Sequence, residues 1–183
     1  KSHGEEGVEL RSGARLRFIA RSRVAGRGFS GDCVILDEAF HLADASMAAL
    51  FPTMAAKPNP QIWYLSSAVN QVHHNHGRVL ARLRRRGMSG DSPRLTYLEW
   101  SLCEREAWER LRPEERDAKR RDPASWAATN PGLGYRISTE YVESELGALA
   151  AEDFDVERLG IGDYPADDAE AWAVVSEAVW SAL

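Results

Sequence analysis

"CVILDEAFHL", residues 33–42, decides the fold. Cys33 to Asp37 read as a buried strand that ends in two adjacent carboxylates, Asp37 and Glu38, with helix-forming residues directly after them. A strand that is apolar along its length belongs in a parallel sheet, and its carboxyl end is where open α/β folds bind ligands. An Asp-Glu pair there suits phosphate chemistry. The first acid holds Mg2+ through oxygen or water, and the second polarises an attacking water as general base. The same pair also suits a plainer role, capping the helix that follows and complementing its dipole.

Upstream, VELRSGARLRFIAR alternates on both sides of Ser12-Gly13, the pattern of a hairpin with strands near 7–11 and 14–20. SRVAGRGFSGD, residues 22–32, has Gly26, Gly28 and Gly31 and reads as an irregular loop. Downstream, a helix is expected from about Ala43 to Ala56, with Met47, Leu50, Phe51 and Met54 on one face and Lys57-Pro58-Asn59-Pro60 as its stop. QIWYLSSA, 61–68, is a second apolar strand ending in Ser66 and Ser67. If it neighbours the first, those hydroxyls share an edge with Asp37 and Glu38, where they sense a γ-phosphate or water; their plainer role is as hydrogen-bonded turn residues. HHNHGRVLARLRRRG reads as a helix, and RLTYLEWS, 94–101, as a third strand. Apolar strands separated by helices predict α/β architecture, a mostly parallel sheet with crossover helices. From Cys103 onward the pattern turns helical, with helices expected at 104–112, 114–120, 138–150, 152–158 and 169–182, separated by prolines.

The 183 residues carry a net charge of −5, with 44% hydrophobic and 28% charged content, ordinary values for a soluble globular chain. No apolar run approaches the roughly 18–20 residues of a membrane span. Residues 1–10, KSHGEEGVEL, contain no signal-peptide pattern, and the first residue is Lys1, so the chain is expected to begin inside a longer polypeptide. Cys33 and Cys103 form no disulfide framework and no metal pair, which fits reduced thiols. Positive charge clusters at 11–27, 78–86 and 105–121 despite the acidic total. Arg78, Arg82, Arg85 and Arg86 lie along one broad side of their helix, which suits either DNA phosphates or solvent. His73, His74 and His76 lack a companion Cys or acidic cluster and read as a polar helix start. Asp163, Asp167 and Asp168 sit in a loop and a helix start, where Asp is common. The tryptophans at 100, 108, 126, 172 and 180 read as packing residues rather than base-stacking ones.

GRGFSGDCVILDEAFHL, LFPTMAAKPNPQIWYLSSA and WAATNPGLGYRIS, in this order, resemble the ATPase domain of the large terminase subunit, the motor that packages DNA into tailed-phage and prophage capsids. The resemblance implies the second half of a P-loop NTPase core over residues 1–102 and a helical linker subdomain over 103–183. It makes Asp37 the Walker B aspartate that holds magnesium, Glu38 the catalytic glutamate, and Ser66, Ser67 and Ala68 the coupling motif beside the nucleotide. Arg27 falls where some terminases present an arginine finger; it could equally brace its loop by pairing with Asp32, and Arg21 and Arg23 are alternatives. The implied cofactors are ATP and Mg2+. The implied partners are double-stranded DNA, the portal protein, the small terminase subunit and further copies in a ring, in the bacterial host cytoplasm and transiently at the procapsid portal, with no membrane. No GxxxxGK[ST] occurs in the 183 residues, so the segment by itself is expected to be inactive. Two rival readings are a fragment of another P-loop ATPase such as a helicase, and a non-catalytic prophage remnant or interaction module.

Overall fold

The computed structural model describes residues 6–20, 30–73 and 77–166. Arg21, Arg23, Arg27, His74, His76, Asp167, Asp168 and the helix expected over 169–182 lie outside them. The chain forms two compact units, one of residues up to 35 plus 44–63, the other of 36–43 plus 64 onward.

In the first unit, β1 (Gly7–Glu9) and β2 (Arg15–Arg17) form the expected hairpin, antiparallel with Val8 opposite Leu16. Gly13 turns the chain at φ 85°, a region open to glycine, and its N–H donates to Leu10 O at 2.9 Å. The second strand pair, β3 (Cys33–Leu36) and β4 (Gln61–Tyr64), is joined through α1 (Asp44–Met54). Gln61 N donates to Asp32 O at 3.0 Å, and Leu65 N donates to Leu36 O at 2.9 Å. Both chains therefore advance together, and the pair is parallel. α1 buries Met47, Leu50 and Met54 but leaves Phe51 exposed, so its apolar stripe is narrower than the spacing predicts.

Two expectations need correction. β3 and β4 are not buried: exposed and half-buried positions alternate along both, with Ile35 58% and Trp63 56% exposed. An apolar run tells of affinity for a covered face, and a two-stranded pair leaves an outward face uncovered among the described residues. Residues 94–101 do not form a strand. The segment is extended, with Tyr97 and Glu99 half-buried and Leu98 and Trp100 exposed, yet it joins no sheet. Alternation records one covered face; a ladder needs a lateral partner that alternation cannot supply. Among the described residues the parallel sheet is thus one strand pair.

The second unit holds six α-helices among its described residues: α2 (Arg78–Ser89), α3 (Arg105–Glu109), α4 (Pro113–Arg120), α5 (Pro123–Thr129), α6 (Thr139–Ala148) and α7 (Ala151–Glu157). Their starts follow from local chemistry. Pro113 and Pro123 occupy first-turn positions where no N–H is needed; Asp122 Oδ1 accepts from Ala124 N at 2.9 Å, and Ser138 Oγ accepts from Tyr141 N at 3.2 Å. The helices close over Trp108, Trp126, Val142, Phe154, Leu159 and Ile161, all fully buried. Each buried aliphatic or Phe side chain contributes about 1.5–3 kcal/mol. Trp108 and Trp126 are core residues as expected, whereas Trp100 is half exposed.

One charge lies inside this core. Asp155, 2% exposed, accepts two bonds from Arg120, at 2.7 Å from Nε and 2.8 Å from Nη2, and a third from Trp108 Nε1 at 2.9 Å. The bidentate geometry and the third donor offset the cost of burial. The charge-dense tract at 112–122 therefore sends one arginine inward. Asn130, in the Asn-Pro segment, donates from Nδ2 to Trp126 O and to Arg158 O, both at 2.9 Å, tying the end of α5 to the end of α7.

Candidate functional site

The chain leaves β3 through a tight acidic turn. Asp37 Oδ1 accepts from Glu38 N at 3.0 Å, and Glu38 adopts φ 49°, ψ 52°, the sole non-glycine residue with positive φ among those described. This left-handed conformation costs a side-chain-bearing residue about 1–2 kcal/mol and persists where neighbours enforce it. The enforcing bonds are visible. Ala39 N donates to Leu65 O at 2.9 Å, Phe40 N donates to Ser66 Oγ at 3.1 Å, and His41 N closes a single 3-10 turn on Glu38 O. Ala39, Phe40 and Leu42 are buried, while both carboxylate-bearing residues are exposed. Burial of the turn behind them thus directs Asp37 and Glu38 to solvent at the carboxyl end of a parallel strand pair.

The structure brings together four of the residues singled out in the sequence: Asp37, Glu38, Ser66 and Ser67. Ser66 serves the backbone of the acidic turn. Ser67, half-buried, donates from Oγ to Glu157 Oε2 at 2.7 Å. Asp163 N donates to Val69 O at 2.7 Å, and Gln71 Nε2 donates to Asp163 Oδ1 at 2.8 Å. Glu157 is a participant that the sequence does not reveal, because 90 residues separate it from Ser67.

On α2, Arg78, Arg82 and Arg86 are exposed and Arg85 is half-buried. Arg85 Nη1 donates to Pro165 O at 3.3 Å, and Arg86 Nε to Ser92 Oγ at 3.3 Å. Arg84 is the inward arginine. It grips both oxygens of Glu99 at 2.9 Å, reaches Glu104 Oε1 at 2.6 Å and lies 4.6 Å from the centre of the Tyr164 ring. Burial opposes its charge, but the bonds to Glu99 and Glu104 more than reverse that and hold it protonated. Burial, then the Glu99 charge, pushes the Tyr164 hydroxyl up to about 12. Tyr97, also raised by burial first, donates to Glu99. The signal for Arg84 was its place in the apolar stripe, four residues after Leu80: a charge there requires an acid partner.

His73 lies 3.7 Å from Asp153, and no group of three or more His, Cys, Asp or Glu suited to a metal occurs among the described residues. A phosphate-bound Mg2+ asks less, one or two carboxylates beside the phosphates and waters. The exposed hard oxygens of Asp37 and Glu38 fit that demand. Asp32 pairs with Lys57 Nζ at 3.3 Å, and Arg27 lies outside the described residues. No helix among those described is long and apolar enough to cross a membrane.

No protein-family model and no curated protein matches this sequence. Among solved structures, the crystal structure of the HK97 bacteriophage large terminase is similar, with a TM-score of 0.61 at 17% sequence identity. The likeness covers 89% of this chain and 32% of that one, so this mixed α/β chain has a terminase-like fold and spans about a third of the matched protein's length.

Proposed function

We propose that residues 1–183 form the Walker B half of an ATP-hydrolysing DNA-packaging motor, the large subunit of a phage or prophage terminase, with 1–102 as ATPase core and 103–183 as helical linker. The observation that carries this reading is the acidic turn: two exposed carboxylates at the carboxyl end of a parallel strand pair, one held in the left-handed region and pinned by the next strand's end. Such strain collects at functional sites. The terminase-like fold supports it.

In this role Asp37 would hold Mg2+, which together with ATP supplies the charge neutralisation and the phosphoryl group. Glu38 accepts a proton from the attacking water. Ser66 and Ser67 fix the turn that carries it, and Arg27 is assigned the position of a finger reaching a neighbouring copy's nucleotide. Arg78, Arg82, Arg85 and Arg86 are assigned to DNA phosphates, contacts that weaken steeply with salt. Double-stranded DNA, the portal protein, the small terminase subunit and a ring of copies are the partners, and the site of action is the host cytoplasm at the procapsid portal.

The test uses a polypeptide that joins this segment to a GxxxxGK[ST] loop. Glu38→Gln is expected to lower ATP turnover by about 10²–10⁴-fold, with nucleotide affinity kept. Turnover that survives the substitution removes Glu38 as the base.

A further inference from the structure

Consecutive residues of an extended segment point to opposite sides, and Ser66 and Ser67 use that alternation. The Ser66 hydroxyl accepts from Phe40 N within the acidic turn, and the Ser67 hydroxyl donates to Glu157 at the last residue of α7. α7 is itself immobilised. Phe154 and Val156 are buried in it, and Asp155 is clamped by Arg120 and Trp108. Glu157 therefore presents its carboxylate from a fixed place, and a hydroxyl-to-carboxylate bond is stronger than a neutral one. Asp163 N donates to Val69 O, a second tie on the same segment.

We infer that Glu157 is a positioning residue for the acidic turn: through Ser67 it sets Ser66, and Ser66 holds the strained backbone that carries Glu38. Its chemical consequence rests on the hydrolysis reading above; the positional effect does not.

The experiment is amide hydrogen exchange on the 183-residue chain. Glu157 is exposed, so its replacement leaves the core packing untouched. Glu157→Ala is expected to speed exchange of the Phe40 amide by about threefold to tenfold, and Ser67→Ala to do the same. Glu157→Gln keeps an acceptor carbonyl, and its effect stays within about twofold. The Trp126 amide, inside the helical core, holds its rate in all three variants. An unchanged Phe40 amide in Glu157→Ala overturns the inference. So does a Trp126 rate that rises in step with Phe40, or a Gln variant that behaves as Ala does. In the joined polypeptide, Glu157→Ala lowers kcat and spares KM. Indifference of turnover to Glu38→Gln would sink the hydrolysis reading alone and leave the exchange result standing.

Discussion

Replacing Glu38 by glycine and, separately, by alanine is expected to invert the usual order of the two. At an ordinary position glycine is the less stable by about 0.5–1 kcal/mol, because its unfolded chain has more freedom to lose. At φ 49° the alanine Cβ keeps the left-handed penalty of about 1–2 kcal/mol, and glycine escapes it. Taking the middle of each range leaves Glu38→Gly about 0.75 kcal/mol more stable than Glu38→Ala, or about 1.5–3 °C in Tm for a chain of this size. Both variants delete the same carboxylate, so whatever else Glu38 holds cancels in the comparison. Equilibrium urea unfolding followed by circular dichroism reads the difference. An alanine variant as stable as the glycine one, or more so, refutes the argument that the acidic turn stores strain.

Asp155→Ala strands Arg120 and the Trp108 N–H in the helical core and is expected to cost about 3 kcal/mol, since Arg120 retains Asp117; tryptophan fluorescence during unfolding reports it. Asp117→Ala, removing the exposed partner of the same arginine, should cost less than about 0.5 kcal/mol. Tyr164 keeps its proton longer in the folded chain than in the unfolded one, so its contribution is intact below about pH 10 and is lost as pH rises towards 12. By about pH 11.5 the loss from this residue reaches about 2 kcal/mol, and Tyr164→Phe removes that share of the alkaline slope in urea midpoints.

The legible parts of the fold were those written in neighbouring residues. Ser12-Gly13 set the hairpin, Met47, Leu50 and Met54 set α1, and Lys57-Pro58-Asn59-Pro60 ended it. α5 was missed although Asp122-Pro123 carries both a capping side chain and a first-turn proline, because seven residues between prolines offer too few turns to show a period. The strand expected at 94–101 had the right alternation and no partner, since pairing depends on residues distant in sequence. At the candidate site, Asp37, Glu38, Ser66 and Ser67 could be picked out by type and position. What joins them could not: the left-handed φ of Glu38 follows from bonds to Leu65 and Ser66, and Glu157 enters only through folding.

The uncovered faces of β3 and β4 bear on how the chain behaves at high concentration. Among the described residues, a strand pair that presents Ile35 and Trp63 to water has the makings of a template for another copy of itself. Self-association by edge pairing is expected to grow with concentration, which light scattering over a dilution series reads. A charged residue at position 63 would set repulsion against it and leave the acidic turn at the strand's end unaltered.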